Sequence, residues 1–241
     1  TVHGFGSVRI AFRKFLPIER ILQHLCSAIV GVSNYDQRHL LEEGIVSNVS
    51  TIYNGIVQPD TASMTHIPEF GKYEKMVLAI ARINAQKKPD LFIDVARRLP
   101  QYGFIWIGNL EAVTQYGELP SNCHFMGNIP NAGAYCSKAD LFMLPSNYEG
   151  LPMVIIEAMS LGKPVVASDV GGVSEIVRND INGYALPNDA DLFATKIQAI
   201  LEDKDLHKRF SENSLRIFHE ELTVDRMAEG YMNIYNRTAA N

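Results

Sequence analysis

The sequence has 241 residues, of which 46% are hydrophobic, so it can bury a sizeable core in one large domain or two small ones. Its formal net charge of −5 argues against a nucleic-acid-binding protein, because such proteins usually present a basic surface. No apolar run reaches the roughly 18 residues that span a bilayer, and the first residues lack the apolar core of a signal peptide.

The three cysteines, Cys26, Cys123 and Cys136, are far apart and have no CxxC spacing. Isolated cysteines of this kind predict buried free thiols in a reducing compartment, rather than disulfides or a zinc site. The sequence therefore favours a cytoplasmic protein.

Short β-rich runs alternate with helical patterns, which predicts parallel sheets wound with helices. In the first part, 27–33 is predicted as a buried strand, 34–44 as a capped helix that ends at a glycine, and 49–55 as a second strand. A stretch with prolines, small polar residues and no periodicity follows at 57–75, and we interpret it as a linker.

The second part repeats the βα pattern as far as the last helices of the chain. The predicted strands are 75–81, 102–108, 122–127, 140–146, 163–169 and 182–187. The predicted helices are 89–99, a short one at 133–139, one from Pro152 to Gly162, and three at 189–202, 204–219 and 223–237. This pattern predicts two Rossmann-like halves, of which the first is short.

The stretch "DLFMLPSNYEGLPMVIIEAM" places an exposed loop and then a helix after a predicted strand. Pro152 suits the first helical position, because its fixed φ and missing N–H cost nothing there, and Gly162 is a natural end. In an open α/β sheet, ligands bind at the carboxyl ends of the strands. The free N–H groups and the dipole of this helix start therefore suit an anion such as a diphosphate.

Two glutamates flank this helix start. Glu157 lies one turn beyond Met153 on the same helix face, where its carboxylate can accept hydrogen bonds from the ribose hydroxyls of a nucleotide. Glu149, on the preceding loop, would lie nearer the group attached to the diphosphate. Taken alone, each glutamate also fits an ordinary solvated residue of a loop or a helix surface.

These residues resemble the E-x7-E signature of the retaining, nucleotide-sugar-dependent glycosyltransferases of family 4, which have GT-B architecture. "AIVGVSNYDQRHLLEEGI" and "STIYNGI" resemble the end of the family's first domain, "ARINAQKKPDLFIDVARRL" the opening of its second, and "ADLFMLPSNYEGLPMVIIEAMSLGKPVVASDVGGVSEIV" its donor-site core. The resemblance covers essentially the whole chain. It implies an α/β fold of two Rossmann-like domains with parallel sheets that face each other across a cleft.

The resemblance also implies a division of the chain. Residues 1–56 would be the C-terminal part of the acceptor-side domain, 57–75 the linker, 76–222 the donor-binding domain, and 223–241 a terminal helix that crosses back to the first domain. On this alignment roughly a hundred residues of a first domain of usual size are missing. We therefore expect the N-terminal domain to be incomplete, with the rest in a longer protein or in another chain.

Cationic side chains should converge on a departing diphosphate, because it leaves with developing negative charge. The family uses an arginine and a lysine five positions apart, and "RINAQK" keeps this spacing with Arg82 and Lys87. Ala81 and Lys88 stand where the commoner pattern has glycines. Lys88 leaves two lysines as candidates, of which the spacing favours Lys87.

By the same resemblance, the catalytic residues are Glu149, Arg82, Lys87 and His3. The donor-binding residues are Glu157, Gly150, Leu151, Pro152, Met153, Gly127, Asn128, Gly171 and Gly172. The resemblance implies that the segment "FMGNIP" lies beside the nucleotide base, but it does not specify which of its side chains contact the base. Gly171 and Gly172 also fit a plain tight turn, and His3 also fits a structural histidine.

The resemblance implies a retaining, metal-independent transfer of a sugar from a nucleoside diphosphate to an acceptor hydroxyl, without a cofactor, in polysaccharide, glycolipid or glycoconjugate synthesis. Two alternatives stay open: a sugar-nucleotide-binding module without catalysis, and a GT-B-type sugar-nucleotide epimerase. The basic and apolar segment 8–20 fits either an ordinary helix with a basic face, or a contact with anionic lipid or a lipid-linked acceptor at the inner membrane face. The sequence does not identify the base, the sugar or the acceptor.

Overall fold

The computed structural model describes residues 1–2, 13–62, 64–111 and 113–239. His3 and residues 8–12 of the segment 8–20 lie outside the described residues, as does the side chain of Arg13. Within the described residues, no helix combines the length and the apolarity that crossing a bilayer requires.

The N-terminal unit, defined as the described residues up to 56, contains a small parallel sheet. Its elements are α1 (Leu16–Leu22), β1 (Ile29–Gly31), α2 (Asn34–Glu42) and β2 (Val49–Thr51). Ile29 pairs with Val49 and Gly31 with Thr51. The predicted strand 49–55 is therefore too long, because β1 ends at Gly31 and its last bond to this segment comes from the Ile52 N–H, at 3.0 Å.

The C-terminal unit, residues 76–222, is built on a six-stranded parallel sheet. Its strands are β3 (Met76–Ile80), β4 (Gly103–Ile107), β5 (Cys123–Phe125), β6 (Leu141–Leu144), β7 (Val165–Ser168) and β8 (Gly183–Leu186). The spatial order is β5-β4-β3-β6-β7-β8, the usual order of a dinucleotide-binding fold. The chain therefore winds outwards from β3 on one side and from β6 on the other.

Helices cover both faces of this sheet, as an all-parallel sheet requires. They are α3 (Pro89–Arg98), α4 (Met153–Ser160), α5 (Val173–Ile176), α6 (Ala190–Glu202) and α7 (Lys204–Glu221), with a 3₁₀ helix at Ala132–Lys138. Side chains alternate between the two faces of the sheet along each strand. Leu78 and Phe142 belong to the core cluster that includes residues of α4. Val77 and Met143 belong to the core cluster that includes residues of α3 and α6. All of these strand residues are completely buried.

The last helix, α8 (Val224–Ala239), leaves the C-terminal unit and contacts the N-terminal one. The Gly55 N–H approaches the Met227 sulfur at 3.3 Å, and Thr1 and Tyr231 share a hydrogen bond between their hydroxyls at 2.7 Å. Ile234 is the buried residue of this helix. The boundaries of the four predicted segments stay a prediction.

The structure corrects two details of the sequence analysis. Cys26 is exposed, so only Cys123 and Cys136 are buried free thiols as predicted. Pro152 is the N-cap of α4 rather than its first helical residue, since its ψ of 117° is extended and the helix begins at Met153. Gly162 follows the helix end with a φ of +68°, a backbone conformation that glycine adopts without strain.

Candidate functional site

The predicted site residues follow the two central strands of the sheet. Arg82 and Lys87 come after β3, and the loop with Glu149 comes after β6. β3 and β6 are hydrogen-bonded neighbours at the point where the strand order reverses. Ligands of open α/β sheets bind in the crevice at such a switch point.

Lys87 and Glu149 form a buried ion pair across this crevice. The Lys87 ammonium donates to Oε1 of Glu149, and the side chains are only 14% and 7% exposed. The Ser146 hydroxyl donates to the same oxygen at 2.6 Å. A buried carboxylate needs such partners, so the pair fixes Glu149 in one position.

Backbone and amide hydrogen bonds join the loops that carry the pair. Asn147 donates from its N–H to the carbonyl of Gln86 and from its side chain to that of Ala85, both at 2.7 Å. Gln86 returns a bond from its side chain to the carbonyl of Tyr148 at 3.0 Å. These contacts fix the positions of the two loops relative to each other, although they are 62 residues apart in sequence.

A second polar network, which was not predicted from the sequence, holds the start of the loop that carries Glu149. The Ser146 N–H donates to the Ser168 hydroxyl at 2.8 Å, which donates to Oδ1 of Asn188 at 2.5 Å. Asn188 closes the ring by donating to the carbonyl of Ser146 at 3.0 Å. Each residue ends or follows a strand, but only the strand order brings the three together.

The two candidate lysines point in different directions. Lys88 is the N-cap of α3, with a φ of +42°, and its ammonium pairs with Asp90 on the same helix at 3.1 Å. Lys87 instead enters the crevice. Arg82 is exposed, and no ion pair occupies its guanidinium in the part of the chain that the structure describes. It is therefore free to meet an anion.

Helix α4 begins at the edge of the same crevice. Its N-cap Pro152 provides no side-chain hydrogen bond, so the first N–H groups of the helix are left for another acceptor. Met153, the first helical residue, is 40% exposed. Leu151 is buried, and the carbonyl of Gly150 accepts a bond from the Gly172 N–H at 2.8 Å.

Glu157 lies one turn into α4 beside the 3₁₀ helix. A Cβ at Gly133 would lie 2.6 Å from its Oε2, so the carboxylate packs against this glycine and would have to shift if a side chain were added there. Burial raises the pKa of Glu157 above its ordinary value. The sequence analysis missed Gly133, because its contact is with a residue 24 positions away.

The glycine pair before α5 has close neighbours on two sides. Gly171 has a φ of +61°, and a Cβ on it would lie 2.0 Å from the carbonyl oxygen of Glu149. A Cβ on Gly172 would lie 2.6 Å from the Cβ of Ser33 in the N-terminal unit. The backbone at these positions therefore packs too closely for any other residue. Its contact with a donor stays a prediction.

The segment predicted beside the base follows β5 at the same edge of the sheet. Gly127 has a φ of +77° and accepts a bond from the Gly108 N–H at 3.0 Å. Gly108 itself admits no side chain, since a Cβ would lie 1.9 Å from the carbonyl oxygen of Ala81. Gly108 was also missed, and Asn128 next to Gly127 is exposed.

A family model described as "Glycosyl transferases group 1" matches residues 64–216, more than half of the chain. The chain belongs to this glycosyltransferase family. It is 28% identical over 225 residues to the "O-antigen biosynthesis glycosyltransferase WbnH" of Escherichia coli, which covers 91% of the chain and 63% of the relative. It is 24% identical to the "UDP-Gal:alpha-D-GlcNAc-diphosphoundecaprenol alpha-1,3-galactosyltransferase" of the same species, over 97% of the chain and 68% of the relative.

Solved structures of this glycosyltransferase architecture share the fold. HepE of Anabaena, in a complex with UDP and glucose, superposes with a TM-score of 0.78 at 22% identity, over 92% of this chain and 66% of that one. Sucrose-phosphate synthase of Thermosynechococcus elongatus gives 0.80 at 22% identity, over 95% and 62%. The predicted α/β, GT-B-type fold is confirmed, and the chain spans about two thirds of the length of these proteins.

Proposed function

We propose that this chain carries the donor site of a retaining, metal-independent glycosyltransferase, which moves a sugar from a UDP-sugar to an acceptor hydroxyl during polysaccharide synthesis. The observation that carries the proposal is the Lys87–Glu149 pair, which joins the loop after β3 to the loop before α4 at the switch point. One similar protein is named for UDP-Gal and another was solved in a complex with UDP and glucose, and both support the choice of uridine.

In this proposal the diphosphate lies between Arg82 and the start of α4. The bond between the sugar C1 and the diphosphate breaks as the acceptor oxygen bonds to C1 from the same face, and the acceptor proton passes to a departing phosphate oxygen. Arg82 can bind two phosphate oxygens at once. The Lys87 ammonium has three N–H donors, so it can hold Glu149 and a phosphate oxygen together.

The two glutamates divide the rest of the donor. Glu149 orients the sugar in this proposal, which its bonds from Lys87 and Ser146 support. Glu157, one turn along α4, is placed to accept hydrogen bonds from the ribose. The proposal includes the division of the chain into four segments with boundaries at 56, 75 and 222. It also includes a catalytic role for His3. The residues proposed to contact the donor are Gly127, Asn128, Gly171, Gly172 and those from Gly150 to Met153.

We further propose that the acceptor is lipid-linked and that the protein works at the cytoplasmic face of a membrane. One relative is named for a diphosphoundecaprenol-linked substrate. In the described part of 8–20, Phe15 and Ile18 are 44% and 52% exposed, and just beyond it Ile21 and Leu25 are 69% and 81% exposed. Lys14 adds positive charge, which favours anionic lipid.

The proposal is tested by calorimetry with UDP and by turnover of UDP-galactose and UDP-glucose. We expect Arg82→Ala to lower kcat/KM about 100-fold or more, because one preorganised cation of the transition state is lost. Arg226→Ala, at an exposed arginine paired only with nearby Glu229 among the described residues, is the matched control.

Each outcome separates the candidate functions. A folded Arg82→Ala protein with normal turnover would contradict the assignment. Binding of UDP by the unaltered protein, without hydrolysis or transfer, would favour the binding module. An epimerised nucleotide sugar among the products, with no acceptor added, would favour the epimerase.

A further inference from the structure

The carboxylate of Glu175, in α5 of the C-terminal unit, binds the start of α2 in the N-terminal unit. The Asn34 N–H donates to Oε2 at 2.8 Å, and the Tyr35 N–H donates to Oε1 at 2.7 Å. Both carboxylate oxygens are therefore used by one helix end, 140 residues away in sequence. Charge-assisted bonds of this kind are about twice as strong as neutral ones, and the helix dipole favours a negative charge here.

With Glu175 in place, the start of α2 has a complete set of acceptors. The Asp36 N–H donates to the hydroxyl of Ser33, the N-cap, at 3.0 Å. The Gln37 N–H donates to the Ser33 carbonyl at 3.0 Å, which is the first regular bond of the helix. Without Glu175, two of the N–H groups at this helix start would lose their partner.

The same junction contacts the Glu149 loop through the glycine pair. Gly172, three residues before Glu175, packs closely against both Ser33 and the carbonyl oxygen of Gly150. Gly171 packs on the carbonyl oxygen of Glu149. A rigid turn of a few residues therefore separates the helix start of one unit from the candidate catalytic loop of the other.

Neighbouring groups hold Glu175 in this position. Asn34 donates from its side chain to the Tyr53 hydroxyl at 2.8 Å, and burial together with the charge of Glu175 raises the pKa of Tyr53. Arg178 donates to the backbone carbonyl of Glu175 at 3.2 Å and to both oxygens of Glu221. The junction is thus a polar network that spans the two units.

We propose that Glu175 is a positioning residue that couples docking of the N-terminal unit to the placement of Glu149. This inference rests on the proposed function, in which Glu149 orients the donor sugar. The residues proposed to bind the nucleotide, Arg82, Lys87 and Glu157, belong to the C-terminal unit alone. Loss of the Glu175 bonds should therefore lower kcat and leave nucleotide binding almost intact.

Two variants remove the bonds from opposite sides. Glu175→Gln keeps the shape but leaves one oxygen acceptor where two N–H groups need one each. Asn34→Pro removes one donor at the first helical position, where proline is well tolerated, and the extended Ser33 before it suits a proline. Asn34→Ala, which keeps the N–H, controls for the lost side chain. Glu220→Gln, at an exposed residue paired with Arg216, controls for the lost charge.

Hydrogen exchange and kinetics together test the coupling. In Glu175→Gln we expect the exchange protection of the Asn34 and Tyr35 amides to fall at least about tenfold, and in both variants we expect kcat for UDP-galactose to fall about tenfold while its KM changes less than about threefold. The double variant should be no more than about twofold worse than the poorer single one, because both break the same contact. Glu220→Gln should match the unaltered protein, and Asn34→Ala should lose less kcat than Asn34→Pro, because it keeps the N–H and loses only the bond to Tyr53.

The outcomes separate this inference from the proposed function. Unchanged amide protection in Glu175→Gln would overturn the contact, and lost protection with unchanged kcat would overturn the positioning role. If the unaltered protein neither binds UDP nor turns over UDP-galactose, the proposed function fails, and the positioning role fails with it whatever the exchange data show.

Discussion

At the scale of single residues, the two glutamates of the candidate site have opposite surroundings. Glu149 is nearly inaccessible, yet the Lys87 ammonium and the Ser146 hydroxyl compensate its charge. Glu157 is partly buried beside Gly133, and none of the described cations forms an ion pair with it. The same side chain, eight residues along, therefore has charged and hydroxyl partners in one place and no ion-pair partner among the described residues in the other. A carboxylate in a crevice with a raised pKa is a candidate ligand-binding group.

Glu157→Gln should stabilise the protein at neutral and higher pH. Because burial raises the pKa of Glu157 above its ordinary 4.5, the folded state holds this proton more tightly than the unfolded chain. The free energy of unfolding contributed by this group therefore falls as pH rises from the ordinary value through the folded one. Melting temperatures of both proteins, measured from about pH 4 to pH 8, should diverge in favour of the variant as pH rises.

The same variant should bind UDP more weakly, since an amide offers the ribose one acceptor oxygen in place of a carboxylate. A gain of stability with a loss of binding is the usual trade-off at a functional site. Glu220→Gln, which removes an exposed carboxylate, should show neither effect. A Glu157→Gln protein that melts below the unaltered one at pH 8 would refute the pKa argument.

At the scale of elements, the sequence predicts what depends on local signals. The helices α2, α3, α6, α7 and α8 begin within one residue of their predicted starts, because capping residues and prolines act within one turn. Strand ends were predicted less well, as 49–55 shows, since a strand ends where its partner ends.

The contacts between elements could not be predicted from the sequence. The resemblance to the family indicated Arg82, Lys87 and Glu149, but not that Lys87 binds Glu149 while Lys88 pairs with Asp90. Which loops meet depends on strand order, and no local pattern encodes the order β5-β4-β3-β6-β7-β8. The glycines at 108 and 133 were missed for the same reason, because their neighbours are distant in sequence.

Three alanine substitutions separate the two constraints on Gly171, which are its positive φ and the close carbonyl oxygen of Glu149. Gly171 combines a positive φ with a carbonyl oxygen 2.0 Å from the would-be Cβ. Gly117 has a φ of +71° and no atom within 4 Å, whereas Gly71 has neither constraint. We expect losses in the free energy of unfolding of roughly 3 kcal/mol or more for Gly171→Ala, roughly 1–2 for Gly117→Ala and under about 0.5 for Gly71→Ala.

Urea unfolding curves of the three proteins measure these differences. The gap between Gly171→Ala and Gly117→Ala isolates the clash from the backbone conformation. Equal losses in the free energy of unfolding for Gly117→Ala and Gly171→Ala would show that the Glu149 loop can move away from an added Cβ at little cost. This result would contradict a role of the Gly171 turn in fixing the loop.

At the scale of the whole molecule, the two units meet through specific contacts. Besides the Glu175 junction, α8 packs against the N-terminal unit at Gly55 and at Ile52, which lies against Gly230. Helix α1 is different, because it buries only Leu16 and exposes its remaining apolar side chains. Such a face needs a partner, and a lipid surface fits the proposed acceptor.

Sedimentation with lipid vesicles tests this face. We expect the protein to bind vesicles that contain phosphatidylglycerol more strongly than phosphatidylcholine vesicles, and less strongly at high salt, because Lys14 contributes electrostatic attraction. Ile21→Ser combined with Leu25→Ser should weaken binding roughly tenfold or more, since two exposed side chains lose their insertion into the interface. Val57→Ser, at a residue that is 76% exposed outside α1, is the matched control. If the double variant and the control bind anionic vesicles equally well, α1 is not the contact, and its apolar face must pack against protein instead.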